Sequence, residues 1–96
     1  MTHPADSHLV VILAFDEVTA SDITGTADVF AMATRYFLGS ATPGYRIAIA
    51  SIGGQPIRTS SGICMATEPL SQIATERIGT LVVPGGGPPA DPPIPA

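Results

Sequence analysis

Few side chains in this sequence are suited to covalent or acid–base chemistry, and they are far apart. The nucleophile and base candidates are one thiol, Cys64, two imidazoles, His3 and His8, and the serine pair Ser60-Ser61. The run Leu81-Val82-Val83-Pro84-Gly85-Gly86-Gly87 offers something different, a buried strand that ends in a turn of bare backbone. Glycine permits positive φ and close approach of backbone to a ligand, and N–H groups aimed at one point stabilise developing negative charge. A turn of this kind at the carboxyl end of a parallel strand is where open α/β sheets place their ligand sites. It is neither a phosphate loop nor a dinucleotide fingerprint, because no Gly-Lys-Ser/Thr follows and G-x-G-x-x-G is absent. A plain strand-end turn accounts for the same residues, since glycine and proline cluster in ordinary loops.

The nucleophile candidates weaken on inspection. Cys64 sits between Ile63 and Met65, with no base or cation close in sequence to activate it, and reads as a small buried hydrophobe. His3 lies near the terminus. His8 precedes the first strand, at the end of the sheet opposite the expected site. The two lie five positions apart, and no Cys or His cluster completes a metal set. Ser60 and Ser61 belong to a turn with no G-x-S-x-G elbow around them. Asp22, read by residue type alone, is a helix-start residue. Asp16 and Glu17 read as a solvated loop, and Phe15, Phe30 and Phe37 as core.

The elements that must position these residues follow from apolar patterning. Leu9–Phe15 is continuous, apolar and rich in β-branched residues, as in a parallel strand covered on both faces. Residues 16–24 form a loop, and a helix is predicted from Gly25 to Leu38. Its apolar stripe is Ile23, Ala27, Phe30, Ala33 and Phe37, with Ser21 or Thr24 as cap and Asp28 in the first turn. Tyr45–Ser51 reads as a second strand. Pro56–Thr59 and Ile63–Ala66 read as a hairpin about Ser60-Ser61-Gly62. Pro69–Ala74 is a short helix with proline at its first position, and Thr80–Val83 is a third long strand. This order predicts an α/β fold, a partial flavodoxin-like (Rossmann-like) three-layer sandwich with a mostly parallel sheet and a small hairpin. Residues 1–8 are expected to be a disordered terminus, 9–87 the domain, and 88–96, with five prolines in nine residues, a disordered or polyproline tail.

Composition narrows the partners. Ninety-six residues allow one small domain, burying about 60–65% of its unfolded surface. The chain is 45% apolar and 12% charged, which excludes intrinsic disorder as its overall state. A net charge of −4, no lysine and four scattered arginines (Arg35, Arg46, Arg58 and Arg77) argue against direct nucleic-acid binding. A single cysteine cannot form an internal disulfide and fits a reducing compartment. The apolar run Leu9–Phe15 is too short to cross a membrane. The expected location is cytoplasmic.

Four blocks, in order, carry a resemblance: Val10–Phe15, Ser21-Asp22-Ile23-Thr24-Gly25-Thr26-Ala27-Asp28-Val29-Phe30, Arg58-Thr59-Ser60-Ser61-Gly62 and Leu81–Gly86. Together they resemble the opening half of the DJ-1/PfpI (class I glutamine-amidotransferase-like) superfamily, nearest the branch of isonitrile hydratases and of the N-terminal domains of AraC-type regulators. Thr26 stands where that pattern has proline, Ser21 where it has leucine and Asp28 where it has glutamate.

The resemblance implies roles. Asp22 matches the acidic residue that approaches the family's nucleophilic cysteine, where a carboxyl can share a proton with a thiol. Gly85 and Gly86 match the turn whose N–H groups form part of an oxyanion hole. The elbow that bears the cysteine follows this region in the family and has no counterpart here. The implied function is therefore a non-catalytic fragment from the ligand-sensing half of an AraC-type regulator, without its DNA-binding module and without a cofactor. Its implied partner is a small-molecule metabolite, and it is expected to self-associate through an exposed sheet edge. The alternative is an isonitrile hydratase or amidase-like cysteine enzyme that needs a second half.

Overall fold

The computed structural model describes residues 7–36 and 44–86. The expectations for the first residues, for Phe37 and Leu38 and for the proline-rich tail fall outside that range. Among the described residues, six strands and two helices run in the order β1 (His8–Leu13), α1 (Ala20–Tyr36), β2 (Tyr45–Ser51), β3 (Ile57–Arg58), β4 (Cys64–Met65), β5 (Glu68–Pro69), α2 (Leu70–Ile73) and β6 (Thr80–Val82). Four strands form a sheet in the order β5-β2-β1-β6, and every pairing in it is parallel. β3 and β4 form a separate antiparallel hairpin. The α/β sandwich with a mostly parallel sheet and a small hairpin is as the sequence implies.

β1 is central because its residues leave water on both faces. Leu9, Val10, Val11 and Ile12 are all at most 2% exposed. Successive side chains alternate across the sheet. Val10, Ile12 and Ala14 enter one apolar layer with Ile23, Ala27 and Phe30 of α1, joined by Ile57 and Met65 of the hairpin. Leu9 and Val11 enter the other with Ala48, Ala50, Leu70, Ile73 and Ile78. Each fully buried aliphatic side chain contributes about 1.5–3 kcal/mol.

The first helix starts earlier than its stripe suggests, at Ala20 rather than Gly25. The Asp22 N–H bonds the Thr19 carbonyl at 3.1 Å and begins the first turn there. Ser21 and Thr24 therefore lie inside the helix rather than capping it. The Thr24 and Thr26 hydroxyls donate back to the carbonyls of Ala20 and Asp22, a local bond that Thr makes within helices. The loop after β1 is correspondingly short.

Smaller differences follow from hydrogen bonding. His8 is the first residue of β1 rather than its lead-in, paired in register with Tyr45. The β1 strand closes at Leu13, although the Ala14 N–H still bonds Ala50 at 2.7 Å. Pro69 caps α2 from outside it. The short strand β5, which has no apolar signature, exists because Glu68 and Pro69 pair with Ala50 and Ser51.

Candidate functional site at the β1–β6 switch

The chain moves from β1 to β2 on one side, and β6 then returns to pair on the other side of β1. The carboxyl ends of β1 and β6 thus flank a point where strand order reverses, the position at which such sheets open a crevice. The loop after β1 and the turn after β6 meet here. Val18, fully buried, forms an antiparallel bridge with Gly86, and the Thr19 N–H bonds the Gly85 carbonyl at 3.3 Å.

Gly86 has φ +122°, and a Cβ on it would lie 2.7 Å from the Thr19 nitrogen and 2.8 Å from the Val18 Cα. No other residue fits this crossing of two backbones. Asp22 stands beside it in the first turn of α1, with its side chain in solvent. A Cβ on Gly85 would be 3.3 Å from Asp22 Oδ2. The structure therefore brings the three sequence-selected residues Asp22, Gly85 and Gly86 together, although more than sixty positions of sequence separate them.

A second set of contacts, not visible in the sequence, holds the loop in place. The Glu17 N–H bonds the Arg58 carbonyl at 2.8 Å, the Ser60 N–H bonds the Val18 carbonyl at 2.9 Å, and the Arg58 N–H bonds Asp16 Oδ1 at 3.0 Å. Glu17 adopts φ +71°, a left-handed conformation costly for a non-glycine residue. Asp16 and Glu17 are exposed, as a solvated loop implies, and their loop is also tied to the hairpin. Thr59, 1% exposed, closes the hairpin by accepting the Ile63 N–H at its hydroxyl. The Arg58–Gly62 block is a brace for the β1–α1 loop. The only advance sign was its turn composition, because residue type does not disclose long-range backbone bonds.

Cys64 corrects the sequence reading. It is exposed, not buried. It lies on β4, whose register places it opposite Arg58. The two-residue strand turns Met65 toward the core and leaves the neighbouring thiol on the outer face. β4 pairs only with β3 among the described residues. No thiol is positioned by the Gly85-Gly86 turn.

His8 lies at the amino end of the sheet. Its Nε2 is 2.7 Å from Thr80 Oγ1, and its ring stands where a Cβ on Gly79 would project. It borders an open cleft of about 520 Å³ that is also lined by Arg46, Glu76, Arg77 and Ile78, with Arg46 and Glu76 ion-paired. This cleft is at the opposite end from Asp22. Among the described residues no group of three His, Cys, Asp or Glu side chains could hold a metal ion. No helix among them is long and apolar enough to cross a membrane.

An open, parallel four-stranded sheet covered by helices defines an α/β class of protein. The particular family follows from comparison: residues 8–94 match the DJ-1/PfpI family, and the chain belongs to it. That match extends seven residues past Gly87. Over 82 residues the chain is 37% identical to an uncharacterised protein of Streptomyces lividans from the 5′ region of cpoL, covering 85% of this chain and 54% of that protein. Two solved structures share the fold. DJ-1β of Drosophila melanogaster superposes with TM-score 0.68 at 20% identity, over 83% of this chain and 39% of that one. An AraC family transcriptional regulator from Pseudomonas putida superposes with TM-score 0.69 at 21% identity, over 83% of this chain and 48% of that one. The chain spans about half the length of the curated relative it matches.

Proposed function

We propose that this chain is a non-catalytic, ligand-sensing piece of a DJ-1/PfpI-like domain, of the kind that serves AraC-type regulators. The observation that carries the reading is the site itself. Asp22 stands beside the Gly85-Gly86 turn at the switch point, and the sole thiol lies on the hairpin instead. A carboxylate beside bare backbone can hold a small polar molecule by hydrogen bonds. Covalent chemistry of the cysteine type additionally needs a nucleophile within hydrogen-bond reach of its base. The similarity in fold to the Pseudomonas putida regulator supports the same assignment.

The test is an amide-resolved NMR titration with a panel of small amides, carboxylates and isonitriles, followed by product analysis. The expected result is shifts at Asp22, Gly85 and Gly86, weakened about tenfold by Asp22→Ala (a lost charge-assisted hydrogen bond), and no product. Turnover of an isonitrile or amide that disappears in Cys64→Ser would replace this reading with the cysteine-enzyme one. Unmoved resonances at all three positions across the panel would sink it.

A further inference from the structure

The cleft at the amino end of the sheet gathers charge in a way the switch point does not. Its lining comes from the start of β1, from β2 and from the turn between α2 and β6. The chain has four arginines and no lysine, and two of those arginines, Arg46 and Arg77, line this one cleft beside His8. Glu76 is the only acid among the described lining residues. With His8 neutral the lining therefore carries one positive charge net, in a chain of net −4. A concave wall focuses the field of such charges and raises the local concentration of anions.

Most of these groups are held in place without a ligand. Arg46 and Glu76 are paired through Nη2 and Oε1, and Nη1 lies 3.4 Å from Oε2. The His8 ring is fixed by Thr80 at Nε2 and stands edge to face with Tyr45, 5.5 Å between centroids. It occupies the space that a side chain on Gly79 would need. The segment from Glu76 to Gly79 is tied at both ends. The Glu76 N–H bonds the Ile73 carbonyl at 3.0 Å, and the Gly79 N–H bonds the Leu9 carbonyl at 2.9 Å. Arg77 lies inside that tied segment, and no acid among the described residues pairs with it. Its guanidinium is a permanently charged planar fork of N–H donors that matches the oxygens of a carboxylate or phosphate. Ordering one side chain against fixed neighbours costs less than assembling a whole site.

We propose that this cleft binds a small, polar organic anion, with Arg77 taking its carboxylate or phosphate oxygens and Arg46 and His8 flanking them. Arg46 already shares its charge with Glu76, so Arg77 supplies the charge that is not offset, and that charge selects an anionic head group. A cleft of about 520 Å³ is in the range of small-molecule sites, about 300–1,000 Å³, and has room for a body behind the head. Leu9 and Ile78 are the only apolar side chains in the lining, and Leu9 is 2% exposed. The body therefore meets mostly polar groups, which suits a hydroxylated molecule better than a hydrocarbon. The cleft shares no residue with Asp22 or the Gly85-Gly86 turn, so it stands independently of the switch-point reading.

Amide-resolved NMR of the 96-residue chain tests this with three probes that share a hydroxylated body: glucose 6-phosphate, gluconate and uncharged glucose. The expected result is saturable shifts at His8, Arg77, Ile78 and Gly79 with one or both anions, and none with glucose. The anion that binds more tightly identifies the head group. Arg77→Ala should weaken binding at least about tenfold, the loss of a charge-assisted hydrogen bond. Arg77 is exposed, so its removal leaves the core intact, and unmoved amides away from the cleft verify this. Arg35→Ala removes the same charge from the last turn of α1, outside the lining, and should change affinity less than about twofold because salt screens it. Equal losses from the two substitutions, or equal shifts with glucose, would overturn the proposal. So would shifts reproduced by sodium chloride at matched ionic strength, or no saturation by about 20 mM, beyond the millimolar range of a weak specific site. Anion shifts confined to Asp22, Gly85 and Gly86 would overturn it as well, while leaving the switch-point reading in place.

Discussion

Gly86 is where two loops touch, and its substitution measures how much the site depends on that contact. With φ +122° and backbone atoms of Glu17, Val18 and Thr19 all within 2.9 Å of a would-be Cβ, none of its neighbours can move aside as a side-chain tip would. Gly86→Ala is expected to destabilise by about 2–3 kcal/mol, read as a lowered urea midpoint. Gly25 is the matched control. It lies on the exposed side of α1 with nothing within 4 Å of a Cβ, so Gly25→Ala should stabilise by up to about 1 kcal/mol. Equal effects at the two positions would mean that the loop crossing contributes nothing. Asp22 is a contrasting case, because its carboxylate is in solvent and its first-turn position is worth only about 0.3–1 kcal/mol through the helix dipole.

At the scale of elements, α1 is fastened to the sheet by packing at one end and by a polar clip at the other. The Thr34 hydroxyl accepts the Tyr45 N–H at 3.0 Å and lies 2.9 Å from the Phe30 carbonyl. It thereby joins the last turns of α1 to the first residue of β2, while the Phe30 and Tyr45 rings meet edge to face at 4.9 Å between centroids. Thr34→Val keeps the shape and removes the acceptor, leaving a part-buried N–H without its partner. A loss of about 1–2 kcal/mol is expected, with Thr34→Ser retaining most of the stability; calorimetry of the three proteins checks it. The hairpin acts comparably for the β1–α1 loop, through two backbone bonds, the Asp16 carboxylate and the buried Thr59. Its sequence block resembled a family signature without saying what it does. The structure shows it as the support that holds Glu17 in its strained conformation.

For the whole molecule, the two faces of the sheet are unequally covered. One lies under the seventeen-residue α1 together with the hairpin, the other under the four-residue α2. A domain this small has little surplus burial, so the thinly covered face is where a lost side chain should cost most. Ile73→Ala, which removes a 5%-exposed side chain of α2 from that layer, is expected to destabilise by about 2–5 kcal/mol, read as a lowered urea midpoint.

The apolar runs by themselves determined the parallel α/β class, since a strand such as Leu9–Ile12 can escape water only between two covering layers. Composition adds that the given sequence holds one thiol, Cys64. Sequence order further marked Asp22, Gly85 and Gly86, because the residue types that suit a switch-point site occur in the family's blocks. Tertiary structure alone decided where α1 begins, that β5 exists, that Cys64 faces solvent, and that Glu17 is held left-handed by the hairpin. Each of these is fixed by a backbone hydrogen bond or a strand register between distant residues, and such bonds involve groups common to nearly all residue types.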